Sequence, residues 1–222
     1  MKGKDVLEIG CGGGQNTVVL SKWGAKAVGL DVSEKQMEYA RKLAESEEAR
    51  VTFHVGNMED LNVFRSERFD IVLSSFGIGY VDNLSKTFKE VFRVLRKEGL
   101  FVFCDVHPIA NRGRMIRHGR RRIWGMSNYS GRRKRVGTWK LEDTEPKTAR
   151  FRGYHRTIQD WFNLLVTTGF VVERILEPEP YPLGSMTEAE KDKIPYLHDD
   201  YVRDYDLWKR IPHTILFKAA KP

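Results

Sequence analysis

The sequence predicts an α/β fold built on a parallel sheet. Two observations carry the prediction: apolar runs of strand length alternate with segments of helical periodicity, and a glycine-rich turn joins the first strand to the first helix. Strands that alternate with helices favour parallel pairing through right-handed crossovers. The predicted strands are 5–9, 25–30, 51–55, 69–74 and 100–105, and the predicted helices lie near 16–23, 34–44 and 85–95.

The alternation stops after the fifth strand and resumes further along the chain. A helix is predicted at 157–168 and ends at Gly169. A strand follows at 170–176, and a last strand is predicted at 213–218. These elements extend the same sheet.

Two irregular stretches interrupt this pattern. Ligands of parallel sheets bind at the carboxyl ends of the strands, and both stretches leave and re-enter the sheet at that end. We therefore interpret the chain as a single domain, 1–222, with two insertions that cover the site. One is a basic cap at 107–156 and the other is a lid at 178–210.

Composition restricts the setting of the protein. The 222 residues carry a net charge of +8, and its source is one stretch, since 112–156 holds 15 basic and 3 acidic residues, a net +12. No apolar run approaches the length of a membrane span, and the first residues do not resemble a signal peptide. The two cysteines, Cys11 and Cys104, have neither metal nor disulfide spacing. We expect a reducing, cytoplasmic location and no membrane partner.

The glycine-rich turn is Gly10-Cys11-Gly12-Gly13-Gly14. Glycine reaches positive φ at little cost and lets a ligand lie against the backbone, while the next helix points its open N–H groups at that ligand. Gln15 stands where a dinucleotide fingerprint requires Gly or Ala, which argues against NAD and FAD. No Lys-Ser/Thr pair follows, which argues against ATP and GTP.

Asp31 ends the second strand, where a carboxylate can accept both hydroxyls of a ribose. Its alternative role is to cap the next helix, and Ser33 competes for that role.

In this order and spacing, the motifs resemble those of the class I S-adenosylmethionine-dependent methyltransferases, and of the type 11 group in particular. The matching segments are VLEIGCGGG, GLDVSEKQMEYAR, VGNMEDL, FDIVLSSFGIGYVDN and FKEVFRVLRKEGLFVFCDVHP. The resemblance implies a Rossmann-like sheet of seven mostly parallel strands, with helices on both faces and an antiparallel last strand. It also implies S-adenosylmethionine as cofactor and S-adenosylhomocysteine as product, with no metal.

The resemblance implies a cofactor-binding role for ten residues. Glu8 is expected to support the methionine amino end, and Asp31 the ribose. Asn57 and Met58 are expected to face the adenine. The carbonyl of Ser74 is expected to hold the methionine ammonium. The full set is Glu8, Gly10, Cys11, Gly12, Asp31, Val32, Asn57, Met58, Ser74 and Phe76, of which Phe76 has an equally favoured role in the core.

Two histidines are candidate catalytic residues. His107 follows the fifth strand directly, and its ring can deprotonate or orient an acceptor near neutral pH. The equally favoured alternative is a strand-end histidine bonded to the backbone. His155 precedes a predicted helix and is the second candidate. Methyl transfer from a sulfonium needs a base only when the acceptor must lose a proton.

The sequence therefore predicts methyl transfer to a small-molecule acceptor, which the basic cap suggests is anionic. One alternative is an RNA methyltransferase that grips RNA through 112–135, where ten Lys and Arg interleave with aromatic residues. Nucleic acid is the less favoured partner because no recognised RNA-binding module accompanies the patch. A further alternative is a non-catalytic relic that binds S-adenosylmethionine or nucleic acid. Relatives usually have helices before the first strand, and these helices help to close the site. Either the two insertions supply this closure here, or the start codon has been assigned too far downstream.

Overall fold

A computed structural model describes residues 1–131, 134–140, 148–191 and 205–222. Its centre is a seven-stranded sheet in the order β10-β11-β5-β4-β1-β2-β3. The strands are β1 (Asp5–Ile9), β2 (Lys26–Asp31), β3 (Val51–Val55), β4 (Phe69–Ser75), β5 (Leu95–Val106), β10 (Val171–Leu176) and β11 (Thr214–Ala220). All run parallel except β11, which pairs antiparallel with both β5 and β10. The predicted fold class is confirmed.

Helices cover both faces of the sheet. The longer ones are α1 (Gln15–Lys22), α2 (Glu34–Ser46), α3 (Leu84–Val94) and α5 (Ile158–Thr168). Leu20 of α1 and Met37 of α2 are buried in small apolar clusters on one face. Phe88 of α3 and Leu165 of α5 are buried in the main core on the other face.

An aromatic stack joins the antiparallel strand to the sheet. The rings of Phe103 on β5 and Phe217 on β11 lie parallel, with centroids 5.0 Å apart and an interplanar angle of 12°. Trp161 of α5 packs edge-on against both rings. Both phenylalanines are almost fully buried, and burying such a side chain stabilises a fold by about 1.5–3 kcal/mol. This stack holds both β11 and α5 against β5.

The fifth strand begins earlier than the sequence predicts. Helix α3 ends at Val94, and the chain is already extended at Leu95, which pairs with Phe69 of β4. The guanidinium of Arg96 forms ion pairs with Asp5 and Asp70, at 2.8 Å and 2.9 Å. These contacts hold the segment in an extended conformation. In the sequence, the helical spacing of the apolar residues did not distinguish this segment from the end of the helix.

The basic cap contains regular structure, although the alternation of strands and helices in the sequence stops there. A short helix, α4 (Pro108–Arg112), leads into two antiparallel hairpins. These are β6 (Gly113–His118) with β7 (Arg121–Met126), and β8 (Lys134–Lys140) with β9 (Thr148–Tyr154). Arginine at successive positions hides the two-residue alternation that normally marks such strands.

The described part of the lid is short. It contains a 3-10 turn (Leu183–Ser185), α6 (Glu188–Lys191) and α7 (Tyr205–Trp208). Residues 192–204 of the predicted lid lie outside the described residues.

Candidate functional site

The glycine loop lies where neighbouring parallel strands end at one edge of the sheet. The amides of Gly10 and Cys11 both donate to the carbonyl of Leu30, at 2.8 Å and 3.1 Å. The loop after β1 is therefore fastened to the end of β2. Gly10, Gly12 and Gly14 all adopt positive φ, at 67°, 52° and 80°, so the turn requires glycine as the sequence predicted.

Asp31 braces this loop. One carboxylate oxygen accepts from the amide of Gly12 and the other from the amide of Ser33, both at 2.9 Å. Asp31 does not cap α2, because the hydroxyl of Ser33 does so by accepting from Gln36 at 3.3 Å. Each carboxylate oxygen can accept more than one hydrogen bond. The partly exposed carboxylate can therefore still bind ligand hydroxyls.

Glu8 lies beneath the loop and is 1 % exposed. Its carboxylate accepts from the Asn16 side-chain amide at 3.0 Å and from the Thr17 hydroxyl, both in the first turn of α1. Burial raises the pKa of this carboxyl above its ordinary value of 4.5, against the lowering effect of these hydrogen bonds. The pair of bonds fixes α1 to the end of β1, and neither Asn16 nor Thr17 was a sequence-predicted site residue.

Residues from two other segments of the chain approach the glycine loop. A Cβ on Gly77 would lie 2.9 Å from Ser74 Oγ and 3.2 Å from Gly10 Cα, and a Cβ on Gly10 would lie 2.9 Å from Met58 Cε. Ser74 Oγ is buried and has no hydrogen-bond partner among the described residues. A buried hydroxyl without a partner is costly unless a ligand satisfies it. The structure thus brings Ser74 and Met58 to the glycine loop and adds Gly77, which sequence reasoning missed.

Exposed apolar side chains surround this point. Val32, directly after β2, is 73 % exposed, and Phe76, directly after β4, is 42 % exposed. Phe76 also adopts a left-handed backbone, with φ of 54°, which is a genuine outlier for a bulky side chain. Such strain concentrates at ligand sites. Exposed apolar groups at the carboxyl edge can pack against a flat apolar ligand ring.

Asn57 and Cys11 have less direct access. Asn57 is exposed, and its side-chain carbonyl accepts from the amide of Glu59 at 2.9 Å, which holds the turn after β3. The Cys11 side chain is buried with Met37 and Ala40, and burial raises the pKa of its thiol. Cys11 can therefore face a ligand through its backbone but not through a thiolate.

His107 is fully buried, and both ring nitrogens are engaged. Nδ1 accepts from the amide of Ile109 at 3.1 Å and caps α4, and Nε2 lies 2.8 Å from the Glu177 carboxylate. Because Nδ1 accepts, the ring proton resides on Nε2 and is donated to Glu177. Burial lowers the pKa of His107, with Glu177 acting in the opposite direction. This is the backbone-bonded alternative, and a catalytic role for His107 stays a prediction that the geometry does not favour.

His155 has a ring nitrogen that is able to accept a proton, as a general base must. Its Nε2 donates to the carbonyl of Tyr129 at 2.8 Å, and its Nδ1 is buried without a hydrogen-bond partner among the described residues. Burial is the main cause that lowers its pKa, so the ring is neutral near pH 7 with a lone pair on Nδ1. Its catalytic role stays a prediction. His155 differs from His107 in that one of its ring nitrogens has no hydrogen-bond partner among the described residues.

The second cap hairpin packs against the turn that follows β4. The rings of Tyr80 and Phe151 meet edge to face, with centroids 5.8 Å apart. A Cβ on Gly153 would lie 3.8 Å from the carbonyl of Gly79. The Arg156 guanidinium donates to the carbonyls at positions 81 and 82, both at 3.1 Å. These contacts hold the second hairpin beside the carboxyl end of β4, and the glycine pattern in Phe-Gly-Ile-Gly-Tyr was the available sequence signal.

Two further searches bear on the chemistry. Within the described ranges, no group of three or more His, Cys, Asp and Glu side chains is placed to hold a metal ion. In the same part of the chain, no helix combines the length and hydropathy needed to traverse a bilayer.

Comparison with known proteins identifies relatives of the sequence and of the fold. Residues 7–103 match the family model described as a methyltransferase domain. An uncharacterized methyltransferase, YbaJ of Bacillus subtilis, is 37 % identical over 109 residues, which is 49 % of this chain and 43 % of that protein. A demethylmenaquinone methyltransferase of Leptospira interrogans is 36 % identical over 110 residues, which is 48 % of this chain and 44 % of the relative. The matched region spans less than half the length of both curated relatives.

The solved structures match over a longer stretch. The S-adenosylmethionine-dependent methyltransferase from Mesorhizobium loti is 26 % identical, with a TM-score of 0.71, over 99 % of this chain and 91 % of that one. This likeness, in sequence over residues 7–103 and in fold over nearly the whole chain, is to the family of S-adenosylmethionine-dependent methyltransferases. S-adenosylmethionine is the cofactor of this family, and the glycine cradle with the buried Ser74 hydroxyl fits its methionine end.

Proposed function

We propose that the protein transfers a methyl group from S-adenosylmethionine to a small-molecule acceptor. The observation that supports this most directly is the convergence of Gly10, Gly77 and the unsatisfied Ser74 hydroxyl beside a loop braced by Asp31. The Ser74 hydroxyl lacks a hydrogen-bond partner among the described residues at the point where Gly10 and Gly77 approach each other, and a Cβ on the neighbouring Gly12 would meet no heavy atom within 4 Å. That combination suits an amino acid moiety attached to a nucleoside better than it suits a pyrophosphate.

The site residues would divide the cofactor between them. The Asp31 carboxylate would accept from the ribose hydroxyls, and Ser74 would bind the methionine end, with Glu8 behind it. Val32, Met58 and Phe76 offer apolar surface to the adenine. When bound, S-adenosylmethionine supplies an electrophilic methyl group on a sulfonium. The protein has to orient the two partners and exclude water, which requires few acid–base groups.

The cap supports a small acceptor. Contacts of Tyr80 with Phe151, and of Arg156 with the backbone after the 3-10 turn Ile78–Tyr80, hold the second hairpin against the turn that follows β4, which we take to be the acceptor side. A folded macromolecule would have to displace these contacts, whereas a metabolite can enter beneath them. The basic character of the cap favours an anionic metabolite.

Calorimetric titration with S-adenosylhomocysteine tests the cofactor site. Asp31→Ala is expected to weaken binding by about 1–3 kcal/mol, the scale of a buried acceptor removed from its polar partners. Ser33→Ala is the matched control, because it removes the α2 cap next to Asp31 and costs about 1 kcal/mol of stability without touching the ribose acceptor. If Asp31→Ala binds as tightly as the native chain, Asp31 does not hold the ribose.

A screen with radiolabelled methyl donor tests the reaction. Metabolite extract and total RNA are supplied in separate arms. Label in a small molecule supports the proposal, and label confined to RNA supports the RNA methyltransferase instead. Tight S-adenosylhomocysteine binding with no transfer in either arm would identify a non-catalytic cofactor-binding protein.

A further inference from the structure

The first cap hairpin presents an amphipathic outer face. Ile116 of β6 pairs directly with Ile123 of β7, and the two side chains are 38 % and 45 % exposed. The Ile116 side chain also extends across Gly125, where a Cβ would lie 2.1 Å from it. Exposed Arg114 and His118 flank this pair along β6 on the same face. An aliphatic centre is thus bordered by cations.

The inner face of the hairpin is held by tryptophan. The indole of Trp124 lies over Gly113, where a Cβ would be 1.8 Å from the ring. Trp124 also packs edge-on against Trp208 of α7, with centroids 5.8 Å apart, and Trp208 packs against His213 at 4.7 Å. Because these contacts occupy one face of the hairpin, the face with Ile116 and Ile123 is the one that points outward.

The segment that forms the hairpin is strongly basic. Residues 112–135 contain ten Lys and Arg and no Asp or Glu. Within the described part of the chain, exposed Arg114, Arg117 and Arg120 take part in no ion pair; Arg117 bonds only to the carbonyl of Gly119 at 3.4 Å. Such a concentration of unpaired like charge favours an anionic partner.

The side chains around these arginines indicate which anionic surface fits. Single-stranded nucleic acid requires exposed aromatic rings on which its bases can stack. In this hairpin, however, Trp124 packs against Trp208, and the ring of Tyr129, which follows it, packs against His155. On the outer face the exposed apolar residues are aliphatic, namely Ile116 and Ile123. Aliphatic groups bordered by arginine suit the headgroup region of a bilayer, where the apolar groups enter the acyl boundary and the cations meet anionic lipids.

We propose that the outer face of the β6–β7 hairpin docks on the surface of an anionic lipid bilayer. The lack of a spanning helix in the described residues concerns insertion across a membrane and not adsorption at its surface. Helix α4 joins the hairpin directly to the carboxyl end of β5. Docking would therefore bring the acceptor side of the cleft to the lipid surface. The proposal does not depend on the methyl transfer reaction.

Sedimentation of the full chain with lipid vesicles tests the docking, without any methyl donor. Vesicles of phosphatidylcholine with phosphatidylglycerol are expected to bind the protein, and vesicles of phosphatidylcholine alone to bind it far less. Arg114→Gln and Arg120→Gln together should weaken binding by roughly twenty-fivefold, since each arginine near an anionic surface contributes about fivefold. The control changes two exposed cations elsewhere, Lys42→Gln and Lys97→Gln, and should leave binding unchanged.

A second pair of variants tests the aliphatic centre. Ile116→Ser with Ile123→Ser should weaken vesicle binding by about tenfold or more, because the two side chains that docking would bury lose most of their apolar area. Val19→Ser with Val166→Ser removes two similarly exposed aliphatic groups on α1 and α5 and should have no effect.

Several results would overturn the proposal. These are equal binding to neutral and anionic vesicles, no binding to either, or an unchanged affinity after loss of both isoleucines. RNA oligonucleotides that bind the chain tightly and prevent its association with vesicles would assign the face to nucleic acid instead. Circular dichroism and S-adenosylhomocysteine titration of each variant separate loss of docking from loss of fold or of the cofactor site.

Discussion

Two glycines with the same backbone conformation but different positions offer a sharp test of the cofactor cradle. Gly12 in the loop after β1 has φ of 52°, and Gly119 at the tip of the first cap hairpin has φ of 61°. A Cβ at either position would meet no heavy atom within 4 Å. Alanine at both sites therefore incurs the same left-handed penalty, about 1–2 kcal/mol, and no steric clash. Reduced freedom of the unfolded chain offsets about 0.4–1 kcal/mol of it.

The two variants should consequently unfold alike and bind differently. Gly12→Ala and Gly119→Ala are both expected to lose about 1 kcal/mol in urea unfolding. Only Gly12→Ala places a methyl group where the cofactor would lie, so it should weaken S-adenosylhomocysteine binding in calorimetry by about tenfold, or ~1.4 kcal/mol. Equal affinities for the two variants would refute the cradle.

Gly10→Ala extends the same comparison. Its Cβ would lie 2.9 Å from Met58 Cε and 3.2 Å from Gly77 Cα. The methionine can move its flexible end, whereas the Gly77 backbone must shift, so overpacking of about 1–3 kcal/mol adds to the left-handed penalty. Gly10→Ala should therefore be the least stable of the three. An unfolding free energy equal to that of Gly12→Ala would contradict the close approach of the two loops.

Further predictions concern pH and helix capping. The pKa of Glu8 is raised above 4.5, so its contribution to stability is complete below that pH and declines as the pH rises through the folded-state pKa. In urea unfolding, Glu8→Gln should gain on the native chain as the pH rises, and a difference independent of pH would contradict burial of this carboxyl. The pKa of His155 is lowered below 6.5, so its contribution is complete above 6.5 and lost as the pH falls. His155→Gln should thus be about 1 kcal/mol less stable at neutral pH and approach the native chain in acid; parallel pH profiles would exclude the buried neutral ring. Thr157 and Asp160 form a capping box on α5; Thr157→Ala should cost about 1 kcal/mol by chemical denaturation, and an unchanged midpoint would show that the box is dispensable.

The glycine loop and the position of Asp31 could be predicted from the sequence because their signals are local. Gly10, Gly12 and Asp31 lie at the ends of strands whose apolar runs are unmistakable, and parallel strands bring their ends together. The positive φ of the glycines and the position of Asp31 follow from that pattern. Ser33 rather than Asp31 caps α2, a choice that the sequence had left open.

The acceptor side was less predictable because it depends on contacts between distant segments. His107 is 70 residues from Glu177, which engages its ring, and no local pattern reveals that pair. The hairpins of the cap are concealed by arginines at positions where alternation would normally show strands. The unsatisfied Ser74 hydroxyl emerges only when the turn at Gly77 is in place beside Gly10.

The antiparallel strand has a consequence for how the chain is made. β11 lies between β5 and β10, yet it is the final strand to be synthesised. Until residue 220 has emerged from the ribosome, β5 and β10 each present a long open edge of unpaired amides and carbonyls. Such long-range closure slows folding and exposes the nascent protein to aggregation. The sheet that carries the glycine loop is therefore completed late in synthesis, when Lys221 donates to the carbonyls of Gly99 and Leu95 and closes the end of the β5–β11 ladder where Ala220 pairs with Leu100.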